Sequence, residues 1–312
     1  MLKISVIIPV YKAEAFLKKA VESALQHDEV TEILLIEDAS PDNSLQICEE
    51  LVAKSEKVKL FQHPDKGNHG AGASRNLGLE KASQEFVAFL DADDYYLPNR
   101  FEAEKEIFKN EKIEGVFGAI GTEFLSEKGK IEFQEKFKNT ELTTVNFAAE
   151  GEEVFKGLLG LTPKIFGSFF HLNALTIRNE SLKKNQLKFN ENLRVHQDSD
   201  FIIKLSFLTH LKSGIIDKAV AIRGVHDDNR ITKIVRYSAK YNERQFLLWK
   251  SLFEWSKTQN LQSDAREKIS LQYKAFDLSL KKGLSKYLLI LLNIIKNPKI
   301  LQSRYRFTFL NR

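Results

Sequence analysis

Three carboxylates fall within four residues, at Asp91, Asp93 and Asp94, directly after the apolar run Phe86-Val-Ala-Phe-Leu. An apolar run of that length, bounded by polar residues, predicts a strand buried on both faces. Continued as extended backbone, the alternation puts Asp91 and Asp93 on one face. Two carboxylates aimed together repel each other unless a cation lies between them. Oxygen-rich pairs of this kind suit magnesium or manganese, which can bridge carboxylates to phosphate. The same residues also fit a solvated acidic turn, because Asp is a common turn residue. The segment by itself fits both.

The flanking chain predicts what must position these groups. Residues 3–10 read as a first strand, with Pro9 tolerated near its end and Tyr11 just beyond. Phe16, Leu17, Ala20, Val21, Ala24 and Leu25 recur at helical spacing. A second apolar run, residues 32–36, leads into Glu37 and Asp38, and a helix over residues 44–52 follows, capped by Ser40 or Asp42. Residues 58–62 give a third strand, and a glycine-bearing loop over 66–76 enters a third helix through Arg75. Strand and helix alternating three times before a further strand predict an α/β fold with a mostly parallel sheet. In such sheets ligands bind beyond the carboxyl ends of the strands, where Tyr11, Glu37, Asp38, Asp91 and Asp93 all fall. Gly70-Ala-Gly72 is too partial for a dinucleotide fingerprint: Arg75 stands in place of the last glycine, and the loop follows the third strand.

Further on, Pro98 opens a predicted helix to Lys109, and residues 116–121 read as a strand. Residues 122–150 read as a hairpin and a polar excursion, and 164–171 as an aromatic, glycine-bearing segment. A helix with Phe201, Ile202, Leu205 and Leu208 on its apolar side starts near Asp198 and Asp200. From about residue 236 the pattern is helical.

The chain has 312 residues, 43% hydrophobic and 29% charged, which suits one large α/β domain and an appendage. Its net charge of +5 hides an asymmetry: residues 233–312 hold 17 Lys/Arg against 5 Asp/Glu, and residues 1–232 hold 30 against 37. The basic surplus belongs to the tail, which argues against a nucleic-acid groove on the main domain. The single cysteine, Cys48, lies on an apolar helix face and is expected to be a packed thiol in a reducing cytoplasm. No leader pattern precedes the first strand, so a cytoplasmic location is expected.

Four ordered motifs carry a family resemblance: residues 6–11 ending in Pro9, Val10 and Tyr11; the Glu37-Asp38-Ala-Ser40 corner; residues 72–78 with Arg75 and Asn76; and Leu90-Asp91-Ala-Asp93-Asp94. Together they resemble family 2 glycosyltransferases, which adopt the GT-A fold of nucleotide-diphospho-sugar transferases. The resemblance is dense over the first hundred residues and sparser after them. It implies a GT-A domain over 1–232, with a nucleotide-sugar half (1–121) and an acceptor half (122–232), followed by a basic helical extension (233–312). It also implies inverting transfer of a hexosyl or N-acetylhexosaminyl group from a UDP-sugar to a saccharide or lipid-linked acceptor, with manganese or magnesium as cofactor, in the making of bacterial cell-surface polysaccharide or glycolipid.

By the same resemblance Pro9 and Tyr11 line the nucleotide pocket, Asp38 meets the uracil, and Arg75 lies near the base or the diphosphate. Asp91 then contacts ribose and metal, and Asp93 ligates the metal. Glu37 belongs to the same nucleotide-binding corner, where it departs from the Asp-Asp pair common in the family. Gln197-Asp198 matches the family's Glu-Asp pair, so Asp198 is the expected base, and Gln197 removes a neighbouring negative charge. Asp200 is the fallback. Arg223, His226 and Asn229 resemble a strand-end motif in which His226 is a diphosphate or metal contact.

Residues 284–295 are nearly all apolar, but as a helix they span about 18 Å, short of the roughly 30 Å hydrocarbon layer. Residues 281–312 hold eight Lys/Arg and no acid, interleaved with Tyr305, Phe307 and Phe309. That pattern suits docking on the anionic inner face of a membrane, or packing on the main domain with a solvated basic end. Two rival functions remain: a catalytically idle nucleotide-sugar-binding relative, and a nucleotidyltransferase. The second is disfavoured because residues 11–15 contain no glycine.

Overall fold

In a computed structural model, which describes residues 1–136, 142–167, 169–227 and 238–302, the first apolar run forms β1 (Ile4–Val10). There follow α1 (Leu17–Leu25), β2 (Val30–Glu37), α2 (Ser44–Lys54), β3 (Val58–Gln62), α3 (Ala71–Lys81) and β4 (Phe86–Phe89). β1 pairs in parallel with both β2 and β4, and β2 with β3. The period of two explains why these strands are apolar throughout. Ile4, Val6, Ile8 and Val10 enter one core with Ile33, Leu35, Phe86 and Ala88, while Ile7, Leu34, Ile36, Val87 and Phe89 enter another on the opposite face. Cys48 is buried in the first of these cores. Gly78 lets α3 lie close on β1: a Cβ there would stand 2.4 Å from the Ile7 side chain.

The chain continues through β5 (Tyr95–Tyr96), α4 (Glu102–Ile107), β6 (Gly115–Phe117), β7 (Ala119–Phe124), α5 (Glu127–Lys136), α6 (Glu152–Leu159), β8 (Leu175–Arg178), α7 (Asn179–Lys184), α8 (Gln197–Leu208), β9 (Leu211–Ser213) and β10 (Ala219–Val225). β8 runs antiparallel between β4 and β6, completing a seven-stranded, mostly parallel sheet in the order β3-β2-β1-β4-β8-β6-β9. A smaller sheet has the order β5-β10-β7.

Three local expectations change. The extended backbone stops at Phe89, and residues 91–94 form a turn closed by the Asp94 N–H on the Asp91 carbonyl at 3.0 Å. Strict alternation therefore does not relate Asp91 to Asp93. The helix expected from Pro98 begins only at Glu102, because Leu97 to Arg100 turn to bury the Arg100 side chain. After β7, helix α5 stands where a hairpin was expected, its start reinforced by the Glu127–Lys130 pair one turn apart.

The chain divides into two units: residues 1–194 with 201–232, and residues 195–200 with 233–312. The second contains α9 (Ala239–Ser256), α10 (Ser263–Leu280) and α11 (Leu284–Lys296). Ser238 caps α9 by accepting from the Tyr241 N–H, and Phe246 and Phe253 of α9 stack on Tyr273 of α10. Ile290 of α11 packs with Leu271, Ala275 and Leu278 of α10. Among the described residues no helix is long and apolar enough to cross a membrane.

Candidate active site

The parallel register brings the polar strand ends together. Val10 is level with Glu37, the Asp38 N–H donates to the Val10 carbonyl, and the Leu90 N–H donates to Ile7. Tyr11, Asp38 and Asp91 thus leave adjacent strands at one edge of the sheet. Pro9, half-buried, sits opposite Ile36, and Tyr11 is exposed.

Glu37 and Asp38 are both buried, and their carboxylates bond within the fold. Glu37 accepts from the Ser40 N–H at 2.5 Å and from Gln62 Nε2 at 2.7 Å, closing the corner and tying it to β3. Asp38 Oδ1 accepts from the His69 N–H at 2.7 Å, and its Oδ2 accepts from the Gly70 N–H at 2.8 Å and Asn68 Nδ2 at 3.0 Å. Asp38 therefore fastens the glycine-bearing loop, a role the sequence did not suggest. Gly70 is needed there: its φ is +86°, and a Cβ would come within 2.5 Å of the Arg194 guanidinium.

Arg75 projects from α3 and donates through Nη2 to Asp91 Oδ1 at 2.6 Å. Its Nε is buried with no hydrogen-bond partner among the described residues, a donor available to an acceptor on a ligand. Burial opposes ionisation of Asp91, but Arg75, His171 and Arg223 outweigh it and hold the carboxyl below its usual range. Asp93 lies 3.2 Å from His226 Nε2, and that imidazole stacks on Phe16. Asp94 turns inward, accepting from Asn173 Nδ2 and from the Gly224 N–H at 2.9 Å. Burial, then the Asp93 and Asp91 charges, push its carboxyl well above the ordinary range.

Asp91, Asp94 and His171 each offer a ligand atom, all within 4.8 Å of one another. This oxygen-rich set with one imidazole fits manganese or magnesium, and a cation there relieves the repulsion among three neighbouring carboxylates. His171 and Asp94 enter this cluster in addition to the expected Asp91, while Asp93 and His226 pair beside it.

Two supporting residues escaped the sequence reading. Asn173 accepts from the Asp91 N–H at 3.1 Å and holds Asp94, so one amide sets two members of the acidic turn. Arg100, fully buried, donates to the Asn173 carbonyl at 2.8 Å, to Glu104 at 2.6 Å and to the Leu175 carbonyl at 3.1 Å. The only signal in the sequence was an arginine between Tyr96 and Phe101, both of which it faces as a cation over a ring. Asn76, part of the Arg75 motif, brackets Phe189 by accepting from its N–H at 2.8 Å and donating to its carbonyl at 2.9 Å.

Asp198 belongs to the second unit, on the first turn of α8, where its Oδ1 accepts from the Ser199 N–H at 2.9 Å. Asp200 follows it and is buried. Asn229, Tyr305, Phe307 and Phe309 lie outside the described residues.

The sequence profile of Glycosyl transferase family 2 matches residues 5–167, more than half of the chain. The chain belongs to this family. An uncharacterized glycosyltransferase of Haemophilus influenzae is 42% identical over 100 residues, 32% of this chain and 39% of the relative. The GalNAc(5)-diNAcBac-PP-undecaprenol beta-1,3-glucosyltransferase of Campylobacter jejuni is 29% identical over 206 residues, 63% of this chain and 65% of its own. The match thus spans less than two thirds of either relative. The structure of S. aureus TarS 1-349 in complex with UDP-GlcNAc aligns with a TM-score of 0.65 at 19% identity, covering 99% of this chain and 91% of that one. The architecture is therefore the GT-A fold of family 2, a mostly parallel sheet flanked by helices with C-terminal helices added.

Proposed function

We propose that the protein is an inverting glycosyltransferase that moves a hexosyl or N-acetylhexosaminyl group from a UDP-sugar to a hydroxyl of a saccharide or lipid-linked acceptor. The observation that carries this reading is the pairing of Arg75, on α3, with Asp91 beyond the carboxyl end of β4, with Asp93, Asp94, His171 and His226 gathered around it. An arginine fork beside a divalent-cation donor set is what a diphosphate requires. The UDP-GlcNAc bound by TarS and the undecaprenol-linked substrate named for the Campylobacter relative support the same classes here, and with them a place in cell-surface polysaccharide or glycolipid synthesis.

In this reading Pro9 and Tyr11 flank the nucleotide. Asp38 orders the loop against which the base rests, and Glu37 holds the corner behind it. Arg75 Nε and Asp91 address the diphosphate and ribose. Asp91, Asp93, Asp94, His171 and His226 are the groups available to hold manganese or magnesium, which when bound stabilises negative charge on a leaving diphosphate. Asp198 takes the proton from the acceptor hydroxyl, whose oxygen attacks the anomeric carbon opposite the departing UDP.

UDP release from a panel of UDP-hexoses and UDP-N-acetylhexosamines, with and without manganese, tests the proposal. One sugar nucleotide is expected to be turned over, with loss of activity in chelator. Asp198→Asn is expected to cost about a hundredfold or more in kcat, within the span a general base contributes. UDP binding without turnover of any sugar would favour the idle relative instead.

The outward side of α11 supports a peripheral place on an anionic inner membrane face. Leu284, Tyr287, Leu288, Leu291 and Ile295 are exposed on it, Leu284 at 89% and Ile295 at 69%. Lys282 and Lys296 flank it, and residues 281–312 carry no acid. The full chain is expected to float with phosphatidylglycerol vesicles but not with phosphatidylcholine. Leu288→Glu with Leu291→Glu is expected to weaken that binding by about tenfold or more, given roughly 1.5–3 kcal/mol per buried leucine. Equal recovery of both proteins in the lipid-free fraction would contradict the assignment.

A further inference from the structure

Residues Val195–Asp200 belong to the unit built from the C-terminal helices. Within that unit α9 carries buried polar side chains, Asn242 and Gln245, and Gln245 Nε2 lies 3.0 Å from His196 Nε2. His196 has φ +65°, a left-handed conformation uncommon outside glycine and worth about 1–3 kcal/mol of strain. Its carbonyl accepts from the Asp200 N–H at 3.0 Å, so this strained residue opens the first turn of α8, which bears Asp198. Strain of this kind persists where neighbouring contacts hold it, and Gln245 is such a contact.

We propose that α9 is a positioning element for the acceptor side of the reaction: Gln245 holds His196, and His196 fixes the left-handed turn from which Asp198 is presented. The inference rests on the assignment of Asp198 as base. His196 and Gln245 touch neither sugar nor nucleotide; they act through Asp198. Among the described residues, Gln245 and Arg244 from α9 and Asp198 from its own segment act on the imidazole. Burial lowers the His196 pKa, Asp198 opposes that, and Arg244 adds to it. A neutral ring accepts at Nε2 from the Gln245 amide and carries its proton on Nδ1, leaving no extra cation beside the base. The C-terminal extension is then required for turnover and dispensable for binding nucleotide.

The test uses the full chain, with UDP affinity read by calorimetry and kcat read as UDP release from the best UDP-sugar of the panel. Gln245→Leu is expected to lower kcat about tenfold, an increment of about 1.4 kcal/mol in the barrier, with UDP affinity unchanged. Gln245→Glu is expected to favour the imidazolium and so change the shape of the kcat–pH profile, which a purely structural role would leave in place. His196→Val is expected to lose as much as Gln245→Leu, and His196→Asn to recover most of it, since Asn tolerates the left-handed backbone and offers an amide to Gln245. If folded Gln245→Leu keeps its kcat and pH profile, or loses UDP affinity in step with kcat, the proposal fails. Should Gln245→Leu not fold, equal kcat in His196→Val and His196→Asn overturns it. Full turnover by Asp198→Asn would instead remove the base assignment. An inactive Asp198→Asn beside an unimpaired Gln245→Leu would remove only the role of α9.

Discussion

Asp91→Asn is expected to lower turnover by about a hundred- to a thousandfold, the loss typical when a group stabilising transition-state charge is removed. The substitution keeps the shape of the side chain and its turn, and removes one negative charge. That charge answers Arg75, which is 6% exposed and sits 2.6 Å away. Without it the guanidinium has no bonded carboxylate among the described residues, and the cation donor set loses the carboxyl that Arg75 holds below its usual range. Asp93→Asn is expected to cost less, because the half-buried Asp93 faces His226 rather than Arg75. UDP release, read beside a thermal melt that confirms folding, checks both. Unchanged turnover in folded Asp91→Asn would take this residue out of the site.

Arg100→Met is expected to destabilise the first unit by about 3–5 kcal/mol, the usual cost of removing one partner from a buried ion pair. Arg100 and Glu104 are 1% and 3% exposed and 2.6 Å apart, and burial already pushes the Glu104 carboxyl upward against the pull of Arg100. The same guanidinium satisfies the carbonyls of Asn173 and Leu175, which also lose their donor. Asn173 in turn holds the Asp91 backbone and the Asp94 carboxyl, so turnover is expected to fall with stability. Adding Glu104→Leu is expected to restore much of the stability, since no uncompensated charge then remains buried. Urea denaturation gives the free energies. A loss under about 1 kcal/mol for Arg100→Met would mean that the pair is solvated in a way its burial contradicts.

The sheet was legible because its signal is local. Apolar runs at residues 4–8, 32–36 and 86–90, separated by helical periods, leave few topologies other than parallel strands with crossovers. Tyr11, Asp38 and Asp91 followed from the same logic, since each stands immediately after a strand. What sequence could not supply were contacts between distant segments. Asp38 fastens residues 68–70, Asn76 brackets Phe189, and Asn173 joins the Asp91 turn to the segment before β8, over separations of 30 to 113 residues. The acidic turn itself was misjudged locally. Alternation holds only while the backbone stays extended, and the chain turns at Asp91, sending Asp94 inward and leaving Asp93 beside His226. Helix α5 went unread because its sequence has no apolar stripe, so the period that reveals helices elsewhere is missing.

A nucleotide-sugar diphosphate and a divalent cation are proposed to meet at the turn after β4. A crystal of the full chain grown with UDP-GlcNAc and manganese, with the metal located by its anomalous signal, decides whether they do. A manganese peak is expected within coordination distance of the Asp91 to Asp94 carboxylates, with phosphate oxygens facing Arg75 and the uracil beside the loop that Asp38 holds. Manganese absent from that turn, with the nucleotide bound elsewhere on the sheet, would contradict it.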